Sequence, residues 1–392
     1  MSLIQTTTRL RFACLMVGAG LFGCTMTQGT TATPDATRDT QSVRTEDTGL
    51  DDARDLRLFG RGGSAQDISF EGKAAVNIQQ HTTGSEGADF DPSADATGKQ
   101  LVFASTRHSK LSHLYVKPAD GSTLTQLSDG DFNDAQPVFS PDGARITFAS
   151  DRSGQWDIWM MDSAGRNPTQ LTNSPAPELH PSWSPDGKQI VYCRINPKDP
   201  AGELWIIDLE NPSAKRLIGE GLFPTWSPRG DRIAYQKARR RGSRWFSIWT
   251  TTLVGNEPAP PTEIISNTQY ACIAPSWSSD GMQIAFALVA PSASASDGIA
   301  EPRITGSGRA DIAIVDADGR GLVRLTNGRG ENYSPTWSSD DRIYFTAKLD
   351  QSETIWSIKP FRPTASPVAP VVGPSIPRHA AQAKDQDAAT QP

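Results

Sequence analysis

The chain has 392 residues, with Lys+Arg 38 against Asp+Glu 44, a formal net charge of -6 and 36% hydrophobic residues, the composition of a globular protein rather than a fibrous one. An acidic balance without a domain-wide basic excess leaves no electrostatic footprint for a phosphate backbone, so nucleic acid is excluded as an expected partner. No interior stretch reaches the roughly 18 apolar residues of a membrane span.

At the N-terminus, Arg9 and Arg11 precede an apolar run from Phe12 to Gly23, too short to span a bilayer but of signal-peptide length, so export is expected. The run ends in Leu21-Phe22-Gly23-Cys24, which resembles a bacterial lipobox. That resemblance implies a lipoprotein-type signal peptide over 1–23, cleavage before Cys24 and acylation of its sulfur. Phe22 is bulkier than the small residue usual at its position, which leaves ordinary signal cleavage or an uncleaved anchor open. Gly18-x-Gly20-x-x-Gly23 has the spacing of a dinucleotide fingerprint, but no strand precedes it and no βαβ unit follows, so it is set aside. Thr25 stands where enteric lipoproteins retained at the inner membrane carry Asp, which favours the outer membrane. The expected location is periplasmic, lipid-anchored to a membrane of a Gram-negative-type bacterium.

Residues 24–68 are rich in Thr, Asp, Gly and Ser with few large apolar groups and read as a disordered polar tether. The folded domain is expected over 69–360, followed by a disordered Pro/Ala/Gln-rich tail over 361–392. Inside the domain a repeat is visible: Pro137-Val-Phe-Ser-Pro-Asp-Gly143, Pro181-Ser-Trp-Ser-Pro-Asp-Gly187, Pro224-Thr-Trp-Ser-Pro-Arg-Gly230 and Pro275-Ser-Trp-Ser-Ser-Asp-Gly281. Degenerate copies flank these at Pro92 to Gly98 and at Pro335 to Asp340, the latter without the Gly. The leading prolines are 45, 44, 43, 51 and 60 residues apart, the period of a four-stranded propeller blade.

Each unit reads as four strands. The Pro-x-Trp-Ser strand meets a Pro-Asp-Gly turn that suits a tight hairpin. Alternating strands follow, such as Arg145 to Ser150 and Gln189 to Cys193, then a third such as Asp157 to Met161, Glu203 to Ile207 or Asp311 to Val315, then a short fourth such as Gln170 to Thr172. The prediction is an all-β, six-bladed β-propeller of four-stranded antiparallel blades. The sixth unit has three strands ending at Ile358 before Pro360 and Pro363, so a strand at about 75–79 is expected to complete the last blade and close the ring. Trp183, Trp226, Trp277 and Trp337 share one repeat position, and Trp159, Trp205, Trp249 and Trp356 another, which suits packing between blades. Cys193 and Cys272 fall in separate repeats without CxxC spacing and read as buried free thiols.

The repeat resembles that of TolB-like six-bladed β-propellers. The resemblance implies the fold, and it implies a channel-mouth face that docks a peptidoglycan-associated lipoprotein. The same repeat occurs in propeller caps of peptidases and in polysaccharide lyases, so it fixes function less well than fold. TolB itself carries an α/β domain of more than 100 residues before its propeller, where this sequence has only the polar tether. A Gly-x-Ser-x-Gly elbow is lacking. His180 precedes Pro181 at the innermost strand, with Asp91, Gln136, Phe223, Ala274 and Ser334 as sister positions; only Asp91 and His180 of these suit a metal, and none is assigned. His81, His108 and His113 read as solvated loop residues.

The partner-binding candidates are Asp91, Asn133, Asp134, Glu178, His180, Phe223, Tyr270, Glu331, Asn332 and Tyr333, polar and aromatic groups of the segments leading into the inner strands; six ordinary loop ends is the competing reading. Lys237, Arg239, Arg240, Arg241 and Arg244 form a basic run, either plain surface or a contact for anionic headgroups or cell-wall polymers. The insertion at about 290–309 has room for a binding role. The expected function is a non-catalytic, monomeric envelope scaffold for a protein partner, with no cofactor; the alternative is an enzyme or sensor for a glycan or peptide, using His180 with Asp91 or Glu178.

Overall fold

The computed structural model describes residues 68–70, 73–84, 87–196, 199–238, 246–255, 257–290, 309–326, 330–349 and 352–360. Cys24 and the signal, the tether, the tail, Arg239 to Arg244 and residues 291–308 of the insertion lie outside the described residues. The described elements are all strands, as short apolar runs punctuated by Gly, Pro and Asp dictate. No helix long and apolar enough to cross a membrane occurs among them.

Two strands come first, β1 (Ile68–Phe70) and β2 (Lys73–Gln80). Then come β3 (Asp89–Ala94), β4 (Gln100–Ser105), β5 (His113–Pro118) and β6 (Thr125–Gln126). The second unit is β7 (Asp134–Phe139), β8 (Arg145–Ser150), β9 (Asp157–Asp162) and β10 (Thr169–Gln170). The third is β11 (Glu178–Trp183), β12 (Gln189–Asn196), β13 (Asp199–Asp208) and β14 (Lys215–Glu220). The fourth is β15 (Leu222–Trp226), β16 (Arg232–Ala238), β17 (Phe246–Val254), β18 (Glu257–Pro258) and β19 (Thr262–Ile265). The fifth is β20 (Ala271–Trp277), β21 (Gln283–Val289), β22 (Ala310–Asp316) and β23 (Val323–Arg324). Last come β24 (Glu331–Trp337), β25 (Ile343–Leu349) and β26 (Ser352–Pro360).

Hydrogen bonding divides these strands into five sheets. Four are separate antiparallel blades, one for each of the first four units, and the fourth carries β18 beside its four-strand meander. The expected six separate blades are therefore corrected to four, with a nine-stranded sheet in place of the last two. The reason is local. A parallel pairing of Ala310 with Glu331 bridges β22 and β24, with the Ala310 N–H donating to Gly330 O at 3.4 Å.

The N-terminal strand takes the place read from the sequence. β2 runs antiparallel to β26, pairing Val76 with Lys359 and Gln80 with Trp356, and Ile78 packs on the cluster of Trp337, Ile343 and Ile358. The segment after it corrects one expectation. His81 is held by protein, with Nδ1 donating to Ala119 O at 2.9 Å and Nε2 accepting from Ser357 Oγ at 2.8 Å. Burial takes its pKa down to about 4. His113 is likewise buried, because it opens β5 against Phe132. His108 is exposed, as expected.

The second strand of every unit is buried on both faces, as in Leu101 to Ala104, Ile190 to Cys193 and Ile284 to Ala287. The shared tryptophans then fill the space between neighbouring units. Trp226 belongs to the cluster that holds Val191, Ile206 and Ile233, and Trp183 to the one that holds Ile158, Ile190 and Tyr192. Two indole N–H groups tie adjacent inner strands, Trp183 Nε1 to Val138 O at 3.3 Å and Trp277 Nε1 to Thr225 O at 3.2 Å, so these two rings are buried with their donors satisfied. In the Ser-Pro-Asp-Gly turns the serine hydroxyl donates to the aspartate, as in Ser184 to Asp186 at 2.5 Å, and accepts the Gln189 N–H at 2.9 Å. The turn glycines are left-handed, Gly187 at φ 68 and Gly281 at φ 67, and where the last repeat lacks its Gly, Asp341 takes the same conformation at φ 67.

Candidate functional site

The inner strands share one irregularity. In each of the six, pairing with the second strand shifts register around an X-Pro step, for example between Phe90 and Ser93, Leu179 and Ser182, and Tyr333 and Thr336. Proline has no N–H for the ladder, so a bulge is where an inner strand can hold it. The residue before it turns left-handed: Asp91, Gln136, His180, Phe223, Ala274 and Ser334 all have φ between 50 and 56. Such positive φ is uncommon for residues with a Cβ, and more so before proline. It costs on the order of 1 kcal/mol or more per residue, so the surrounding fold must hold it.

Side chains supply part of that hold. The Asp91 N–H donates to Thr346 Oγ1 at 3.2 Å, the His180 N–H to Gln136 Oε1 at 2.8 Å and the Ala274 N–H to Gln236 Oε1 at 2.9 Å. The six left-handed residues, the six prolines after them and the Ser, Val or Thr that follow line one cavity of about 160 Å³ along the propeller axis. The sister positions read from the repeat thus converge on a single channel.

Its chemistry follows from neighbour contacts around the ring. Gln136 Nε2 donates to His180 Nε2 at 2.9 Å, so neutral His180 carries its proton on Nδ1, facing Cys193 Sγ at 3.3 Å. The imidazole also stacks on Phe223, centroids 3.6 Å apart. Desolvation lowers the His180 pKa to about 3 and raises that of the Cys193 thiol to about 12, so the pair is uncharged at neutral pH. Between the last and first units, which are ring neighbours, Ser334 Oγ donates to Asp91 Oδ1 at 3.0 Å. Desolvation raises the Asp91 carboxyl to about 6, against the hydrogen bonds that lower it.

The other candidates divide between framework and surface. Asp134 is buried beneath Arg152, 2.9 Å away, as Asp89 is beneath Arg107 at 2.7 Å. Glu178 is buried with its pKa raised by desolvation. Asn332 is buried and donates to Ala310 O at 3.2 Å; Tyr333 is buried beside it. Asn133, Tyr270 and Glu331 stay partly exposed at the leading ends of the inner strands. Asn133 Nδ2 donates to Asp151 at 2.9 Å, and Arg324 lies over the Tyr270 ring at 5.0 Å. Of the basic run, Lys237 pairs with Glu220 at 3.3 Å. Gln136 and Cys193, which set the His180 tautomer, were not singled out for that role from sequence: their only signal is repeat position, since the contacts span 44 and 13 residues.

Comparison with known proteins accords with this geometry. The TolB beta propeller domain matches residues 68–218, and the Tricorn protease N-terminal beta propeller domain matches residues 156–369. Among solved structures, a chain described as TolB from Agrobacterium tumefaciens is 21% identical with a TM-score of 0.52, covering 73% of this chain and 97% of that one. TolB from Acinetobacter baumannii is 16% identical with a TM-score of 0.46, covering 70% of this chain and 64% of that one. An oligogalacturonate lyase from Vibrio parahaemolyticus is 11% identical with a TM-score of 0.47, covering 75% and 96%. A repeat read as TolB-like, a propeller built from it, and a family match over more than half of the sequence place the chain in the family of the Tricorn protease N-terminal beta propeller domain, with TolB-like repeats through its first half.

Proposed function

We propose that this protein is a six-bladed propeller, counting the nine-stranded sheet as two blades, that serves as a non-catalytic scaffold in a bacterial envelope and docks a protein at its channel mouth. One observation carries the reading: both His180 ring nitrogens are engaged, by Gln136 and by Cys193. A general base needs a free nitrogen within reach of a substrate proton, and a nucleophilic thiol needs thiolate character that the raised Cys193 pKa denies. The groups left partly exposed at the leading ends of the inner strands, Asn133, Tyr270 and Glu331, are the mixed aromatic and polar set that protein contacts use. The same reading includes a lipid anchor at Cys24, by the resemblance of residues 21–24 to a lipobox, a periplasmic outer-membrane location, favoured by Thr25, and a peptidoglycan-associated lipoprotein as the docked partner, by resemblance to TolB. The roles of Asp91 and of the basic run from Lys237 to Arg244 belong to it too.

The test is affinity capture from detergent-solubilised envelopes with the full chain, beside a Tyr270→Ala/Glu331→Ala variant and His180→Ala. The expected result is one envelope protein held by the wild type and by His180→Ala and lost by the mouth variant. Equal capture by the mouth variant overturns the docking face. A glycan or peptide turned over by the wild type but not by His180→Ala overturns the non-catalytic reading.

A further inference from the structure

Asp91 is the one acidic residue among those lining the channel cavity, and none of them is Lys or Arg. The carboxylate is hydrogen-bonded by neutral donors only, Ser334 Oγ on Oδ1 and the Gln136 backbone. The charged group acting on it is Glu353, of like sign, and Glu353 is itself met by Lys348 at 3.8 Å. A buried carboxylate on a cavity wall that holds no Lys or Arg is best satisfied by a cationic group entering the cavity.

The rest of the cavity narrows the kind of cation. Phe223 stands three ring positions from Asp91 and therefore opposite it, its ring backed by His180 at 3.6 Å, and prolines form the wall between. A π face and apolar walls suit an alkyl stem and its cationic head. A volume of about 160 Å³ matches that of a cavity that admits benzene, about six heavy atoms. A metal ion would need several converging ligands, and no group of three or more His, Cys, Asp or Glu is so arranged among the described residues.

We propose that the channel receives one primary ammonium group on an alkyl stem, the ammonium on the Asp91 carboxylate and the stem against Phe223 and the prolines. It rests on the docking reading for the owner of that stem, a lysine side chain of the docked protein.

The probe is n-butylammonium, titrated into the full chain and followed by saturation-transfer NMR of its methylenes, with 1-butanol as the neutral counterpart. Saturable binding is expected at pH 7.5, at least about tenfold weaker in Asp91→Asn and at pH 4.5, with no saturable binding of 1-butanol. Phe223→Leu, which keeps an apolar wall and loses the π face, should weaken binding less than Asp91→Asn. Thermal unfolding of each variant confirms that it is folded. The proposal is overturned if the wild type shows no saturable binding, if Asp91→Asn binds equally well, or if 1-butanol matches the amine. It is also overturned if calcium or manganese occupies the site in preference to the amine. Amine binding without envelope capture overturns only the docking reading, and capture without amine binding overturns only this one.

Discussion

Replacing Asp91 with Asn should stabilise the protein, and by an amount that depends on pH. The Asp91 carboxyl has an ordinary pKa of 3.8 and sits at about 6 in the fold, chiefly through desolvation. Between those values the folded state keeps a proton that the unfolded chain has released. Stability from this group is therefore complete below pH 3.8, falls as pH rises, and is lost above about 6. At about 1.4 kcal/mol per pH unit the loss is about 3 kcal/mol at most. Asn keeps an oxygen to accept from Ser334 Oγ and carries no charge to desolvate, so it escapes the loss. The assay is denaturant unfolding of wild type and Asp91→Asn at pH 3.5, 5 and 8. The variant should match the wild type at pH 3.5 and exceed it by about 2–3 kcal/mol at pH 8, on the order of 5 °C in Tm. Other titrating groups are common to both proteins and cancel in the difference. A gain that is equal at every pH, or no gain at pH 8, would refute the account of Asp91 as an uncompensated carboxylate.

Four further substitutions probe the framework. His81 has an ordinary pKa of 6.5 and a folded value of about 4, led by burial, with Lys117 and Arg342 adding to the depression and Asp120 and the Ala119 carbonyl opposing it. Its stabilisation is thus whole above pH 6.5 and lost as pH falls toward 4. His81→Gln should flatten the acid side of the stability–pH curve in that window, and an unchanged slope there would count against the assignment. Asp341→Gly should raise stability by about 0.5–1 kcal/mol by freeing the left-handed position at φ 67, whereas Gly319→Ala should cost about 2 kcal/mol or more, since its Cβ would meet Ile264 O at 2.4 Å. Ile78→Asp places a charge in the packing of β2 against Trp337 and Ile358 and should lower stability by several kcal/mol; an unaltered Tm would mean that β2 does not secure the last strands.

Residue spacing alone determined the repeat, the strands and their turns, the tryptophan positions and the strand that pairs with β26, because each depends on local chemistry. Period-two apolar runs, Pro-Asp-Gly turns and a missing fourth strand need no knowledge of distant neighbours. It also placed six sister residues at one point of the repeat, and they do meet in one channel. What those residues do there was decided by tertiary structure. Asp134 is framework because Arg152 closes over it. His180 is a fixed neutral ring because Gln136 from the preceding inner strand and Cys193 from its own blade engage its two nitrogens. His81 is enclosed because Ala119 and Ser357, 38 and 276 residues away, come together on either side of it. The merging of two expected blades through Ala310 and Glu331 has the same origin. Burial and hydrogen-bond partnership are properties of a residue's surroundings, and in a ring those surroundings come from adjacent units and from the two far ends of the chain.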